Sequence, residues 1–157
     1  LTGHLVLTTL HTNAATGTVA RRISLGATPA NIGPAVNLVV AQRLVRKVCP
    51  KCRKFRTPTV QELNEIKAEL KKVPQDIKIS QGKGCPYCNA TGYKGRIGIF
   101  EVLLIDDEIE KLILANPAMA ALRELAIKRG MVTLKQDGLK KVLEGLTTLE
   151  EVKRVAG

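Results

Sequence analysis

Four cysteines are the residues of this 157-residue chain most clearly spaced for chemistry. Cys49 and Cys52 lie in CPKC, Cys85 and Cys88 in CPYC. Two thiols three positions apart can aim both sulfurs at one point from a tight turn. Two such knuckles supply the four-thiolate tetrahedron that Zn(II) prefers, with no call on His or carboxylate. Four protein ligands close the shell, so a zinc ion there is expected to be structural rather than catalytic. The alternatives are disulfides, which belong to oxidising compartments, a redox dithiol, which uses a single CxxC in a strand-and-helix setting, and an iron–sulfur cluster. The doubled Cys-Pro knuckle favours zinc among them. Asn89 to Gly92 (NATG) is expected to turn backbone N–H groups toward the sulfurs of Cys85 or Cys88, and Phe55 and Tyr93 to form a small core over the module.

The second constellation is built from the only two histidines, His4 and His11, which bracket the stretch TGHLVLTTLHTN from Thr2 to Asn13. In nucleotide-binding α/β folds, groups at the carboxyl end of a central strand border the ligand crevice. That places His11 first and His4 second as candidates for phosphate sensing, with Thr8 and Thr9 beside them. By pattern alone the signal is weak, since a polar residue at a strand end is more commonly just hydrogen-bonded in place. The phosphate-binding loop GxxxxGK[ST] does not occur: GKG at Gly82–Gly84 and GYKGR at Gly92–Arg96 do not fit it, and the first forty residues hold no carboxylate. ATP hydrolysis is therefore not expected from this chain by itself.

The formal charge is +11, and it is concentrated. Arg43, Arg46, Lys47, Lys51, Arg53, Lys54 and Arg56 surround the first Cys pair with no acid between positions 41 and 56, whereas the segment from Glu101 onward is near neutral. Such a cluster is either a footprint for phosphates or a solvated face balancing the thiolates. A basic zinc ribbon binding nucleic acid is one alternative function, and a protein-interaction module another. The 3% aromatic content leaves few platforms for stacking bases, so nucleic acid is disfavoured as a partner. With 45% apolar residues a core is expected and disorder is not. No run approaches the ~18 apolar residues of a membrane helix, and no signal peptide pattern is present, so a cytoplasmic setting is expected.

These residues need elements to hold them. Leu5–Leu10 (LVLTTL) reads as a buried strand, followed by a helix capped at Thr12 or Asn13 and stopped at Gly26. A second helix is expected from Pro29 to Val40, on the spacing of Ile32, Val36 and Val39, and a strand over Arg43–Val48. After the first Cys pair come a helix from Thr57-Pro58 to about Val73 and a short strand at Ile77–Ile79. A strand at Gly95–Ile105 follows the second pair. Four amphipathic helices then cover Glu108–Ala115, Ala118–Arg129, Leu134–Glu144 and Leu149–Val155. The simplest topology pairs the strands flanking the two Cys pairs as a hairpin, with the Cys segment inserted at its tip. The opening at Leu1, inside an apolar run and without Met, suggests a piece of a longer protein.

GHLVLTTLHTN resembles the histidine box of the ATPases that power type II secretion and type IV pilus assembly. The resemblance continues through AQRLVRKVCPKC (Ala41 to Cys52), CPYCNATGYKGRIGIFEVL (Cys85 to Leu103) and LKQDGLKKVLEGLTTLEEVKRV (Leu134 to Val155). It lapses mainly over residues 57–84. The resemblance implies an α/β fold: the C-terminal piece of a RecA-like P-loop NTPase core over residues 1–48, an inserted zinc-binding tetracysteine module over 49–94, and a returning strand with a C-terminal helical subdomain over 95–157. It implies a homo-hexameric motor at the cytoplasmic face of the inner membrane, working with a membrane platform protein, with ATP and Mg bound only by the full-length protein. His11, then His4, would couple nucleotide phosphates to domain position. The tetracysteine motif matches the assembly and secretion members rather than the retraction motors.

Overall fold

The computed structural model describes residues 3–116 and 118–157, a mixed α/β chain that divides into two compact units. The chain passes between them within two long strands and again after Thr133. One unit comprises residues 1–41 and 100–133, the other residues 42–99 and 134–157. The long strands are β1 (Leu38–Val48) and β4 (Tyr93–Leu104), which pair with each other. The Cys-bearing segment lies between them in sequence, as a hairpin insertion requires. Within it β2 (Arg53–Arg56) and β3 (Ile79–Gly82) form a second, antiparallel ribbon with Phe55 opposite Ser80.

The first unit carries α1 (Gly17–Ser24), α2 (Pro29–Ile32), α4 (Asp107–Leu114) and α5 (Met119–Lys128). Asp106 starts α4 by accepting the Ile109 N–H at 3.0 Å, and Asp107, Glu108 and Glu110 complement the positive end of the helix dipole. Ile109 and Ile113, one turn apart, are both buried, as are Leu122 and Ala126 of α5. They meet Val19, Ile32, Leu103 and Met131 in one core. Truncating Ile113 to Ala there costs about 2–5 kcal/mol.

The second unit carries α3 (Val60–Glu69), α6 (Leu134–Leu143) and α7 (Leu149–Ala156). Its core joins Ile66, Leu70, Ile77 and Ile79 to Leu139, Val142, Leu149 and Val152. A full capping box, with Thr59 and Glu62 bonding each other's backbone N–H, starts α3 two residues after the expected Thr57. Gly138 lets α6 and α7 close up: a Cβ there would lie 2.8 Å from the Val152 side chain.

Three expectations are corrected. Leu5–Leu10 forms no strand; Leu5, Val6 and Leu7 are 82%, 76% and 91% exposed. The run has strand composition, but a strand exists only through its ladder bonds, and among the described residues nothing pairs with it. Leu1 and Thr2, where that stretch begins, lie outside the described residues. The helix from Pro29 ends at Ile32, because Gly33-Pro34 interrupts it and the β-branched run after Asn37 pairs with β4. The short strand after α3 begins at Ile79 and runs on to Gly82, two residues beyond its expected place.

Candidate functional site

The four cysteines converge. Their sulfurs all lie within 4.8 Å of one another, with Cys49–Cys85 and Cys52–Cys88 at 3.9 Å and Cys85–Cys88 at 3.7 Å. Four sulfurs held about 2.3 Å from one tetrahedral Zn(II) must be about 3.8 Å apart. The spacing therefore fits a single ion bound at the common centre. It is too wide for disulfides, whose sulfurs are about 2.05 Å apart, and all four thiols are free. It is too tight to enclose a multi-iron core.

Local backbone conformation makes this possible. Pro86–Cys88 is a single 3₁₀ turn, ended by Asn89 at φ 50° and Ala90 at φ 59°. That reversal aims the N–H groups of Cys85 and Gly92 at Cys88 Sγ, at 3.2 and 3.3 Å. Gly92 also offers its carbonyl to the Cys49 N–H at 2.9 Å, tying one knuckle to the other. Only glycine serves at 92: its φ is +77°, and a Cβ would meet the Gly82 carbonyl oxygen at 2.8 Å. Burial pushes the Cys88 thiol up, but the Cys85 and Gly92 amides together with the neighbouring Cys85 and Cys52 thiols bring it down to about 6. Burial raises Cys52 to about 11. A metal ion entering would bind the sulfurs as thiolates and release their protons. The expected aromatic core over the module is absent: Phe55 is 53% exposed, while Tyr93 bonds Thr148 through its hydroxyl at 2.9 Å and stacks under Arg46, 4.2 Å from its centroid.

The unit holding this centre is braced by a buried carboxylate that spacing gave no reason to single out. Glu151, 1% exposed, accepts two bonds from the Arg46 guanidinium at 2.8 and 3.0 Å, two from Arg154 at 2.6 and 3.0 Å, and the Arg46 N–H at 3.0 Å. The arginines, Arg154 foremost, hold its carboxyl at about 2. Glu151 thereby fixes α7 to β1, the strand that delivers Cys49.

In the other unit, an open cleft of about 560 Å³ is lined by His11, Thr12, Asn13, Arg21 and Arg123, among others. Of the histidine-stretch candidates, His11 borders the cleft. His4, Thr8 and Thr9 are exposed on the extended run and do not line it. Beneath the loop that follows His11, buried Glu101 accepts the Ala15 N–H at 2.8 Å and stands 3.9 Å from Arg123 Nη1. Arg21 and Arg123 were not legible as site residues. The one available signal was the lack of acids before residue 41.

Residues 1–154 match the family described as type II/IV secretion system proteins. The chain belongs to that family. Among curated relatives, this type II/IV secretion system protein is 45% identical over 155 residues to the type IV pilus assembly ATPase PilB of Thermus thermophilus, covering 97% of this chain and 17% of the relative. It is 43% identical over 156 residues to the PilB of Myxococcus xanthus, covering 97% and 27%. It is 42% identical over 155 residues to the type II secretion system ATPase E of Vibrio cholerae, covering 99% and 30%. The chain thus spans less than a third of the length of these relatives. No helix among the described residues is long and apolar enough to cross a membrane.

Proposed function

We propose that this chain is the C-terminal part of a hexameric ATPase motor that drives type IV pilus assembly or type II secretion. Residues 1–48 would belong to a RecA-like core, 49–94 to a zinc-binding module inserted in the β1–β4 hairpin, and 95–157 to the returning strand and a helical subdomain. His11 is the primary nucleotide-sensing residue and His4 the second, with Thr8 and Thr9 adjacent. Cys49, Cys52, Cys85 and Cys88 would hold a structural Zn(II), which supplies rigidity and no chemistry. ATP and Mg belong to the full-length protein, working at the inner membrane beside a platform protein. The reading rests chiefly on the cleft where His11, Arg21 and Arg123 meet with no lining carboxylate, a setting that favours a ligand with negative charge. A nucleic-acid-binding ribbon is not favoured, since the named relatives are ATPases of type IV pilus assembly and type II secretion.

In the full-length protein, His11→Ala is expected to lower steady ATP turnover about tenfold or more, with zinc content unchanged at about one per chain. Unchanged turnover would remove the sensing role. The 157-residue chain alone is expected to show no turnover, so a steady rate abolished by His11→Ala would overturn the division of labour proposed here. Metal analysis finding iron, or no metal in a folded protein with four free thiols, would overturn the zinc assignment.

A further inference from the structure

The basic collar around the first Cys pair has a use that the metal centre does not explain. Lys47, Arg53 and Lys94 line a pocket of about 310 Å³, walled by Pro50, Leu146 and the Tyr87 ring. Lys51 Nζ stands 4.3 Å from the centroid of that ring and Lys94 Nζ 5.1 Å, so two ammonium groups share one aromatic face or edge. Cations gathered this closely repel one another unless an anion lies among them. None of the pocket's own residues supplies one: no carboxylate lines it. Among the described residues, no ion pair engages Lys47, Lys51, Arg53 or Lys94. The hydrogen bonds to Cys88 Sγ come from the backbone amides of Cys85 and Gly92 and not from these side chains. Arg53 is held in place by the Gly145 carbonyl, to which it donates at 3.2 Å, and by the Phe55 ring 5.1 Å away.

We propose that this pocket binds a phosphate group. Two ammonium groups and a guanidinium offer many N–H donors converging from different directions, which suits an oxyanion with three or four equivalent oxygens and up to two charges better than a planar carboxylate. The phosphate can be a free anion or the headgroup of a lipid, and the chemistry of recognition is the same. The site lies in the unit that holds the cysteines and is separate from the His11 cleft.

The test uses the metal-loaded 157-residue chain, which carries no phosphate-binding loop to compete. Inorganic pyrophosphate titrated against the ¹⁵N-labelled chain should shift the amides of Tyr87 and Lys94. K47Q/K94Q should weaken the binding read at Tyr87 and Lys94 about tenfold or more, K47R/K94R should restore it, and K67Q/K128Q, which removes two exposed lysines outside both pockets, should leave it unchanged. Metal content reports whether each variant keeps its module. Binding that survives K47Q/K94Q but is lost in H11A/R21Q would overturn the proposal and leave the cleft as the phosphate site. Absence of any shift at millimolar pyrophosphate would overturn it outright. Sedimentation with phosphatidylcholine vesicles, with and without phosphatidylglycerol, separates the sources. Phosphatidylglycerol-dependent pelleting, lost in K47Q/K94Q and competed by pyrophosphate, identifies the headgroup; pyrophosphate binding without pelleting identifies the free anion.

Discussion

Each unit of the molecule buries one glutamate almost completely, and the two are held in opposite ways. Glu151 is gripped by two guanidinium groups and a backbone amide at 2.6–3.0 Å, in the unit that also brings four sulfurs together. Glu101 bonds the Ala15 amide at 2.8 Å and faces Arg123 at 3.9 Å, at the wall of an open cleft. A carboxylate locked by two arginines fixes geometry. One that bonds a loop amide and faces an arginine at the wall of a cleft ties that loop to the cleft. The contrast separates a carboxylate that braces the cysteine-bearing unit from one that lies beneath the cleft loop of the other.

The contrast can be broken at several points. The largest effect should come from removing the metal. Chelation, or Cys49→Ser, withdraws binding energy on the order of 10 kcal/mol. Hydrogen exchange should then show protection lost around Ile66 and Leu139 and kept around Ile109 and Ile113; simultaneous loss in both units would erase the distinction. Next, Glu151→Gln should cost about 2–4 kcal/mol, because two arginines lose their counter-charge. The same pair gives a pH signature. A carboxyl held at about 2 in the folded state, against an ordinary value near 4.3, adds stability that is present above about pH 4.5 and lost as pH falls toward 2. Thermal melts between pH 6 and pH 2 should show this acid slope shrink in Glu151→Gln, and an unaltered slope would assign it elsewhere.

Smaller effects sharpen the picture within each unit. Glu101→Ala should cost about 1–3 kcal/mol through the orphaned Ala15 amide, with faster exchange at that amide. Glu101→Gln, which keeps an acceptor, should recover most of the loss. Equal loss in both would mean that the charge facing Arg123, rather than the hydrogen bond, holds the loop. Thr59→Ala should remove about 1 kcal/mol by uncapping α3, and its melt should shift without any change in metal content.

What could be read from the chain beforehand follows the range of the interactions involved. The helices from α4 onward lie within a residue or two of their expected limits, because Asp106 caps α4, Thr148 caps α7 and the apolar stripes of all four are local. The Cys site was legible for the same reason, since each knuckle is four residues long. The β1–β4 pairing was legible from order alone. Misreadings came where distant partners decide. Ile32, Val36 and Val39 have helical spacing, yet pairing with β4 claims the chain from Leu38 onward. Leu5–Leu10 has every local mark of a strand and, among the described residues, no ladder to join. Glu151 occupies the third position of a helix, where an acid normally faces water, and only Arg46, 105 positions away, shows why it is buried.

The unpaired run at Leu5–Leu10 has a practical consequence. Six residues rich in branched side chains, uncharged, without Pro or Gly, and open to solvent are the kind of segment from which copies of one chain stack into cross-β fibrils. In concentrated solution this segment, rather than either buried core, is where self-association should begin, and a single Lys at Val6 should delay it.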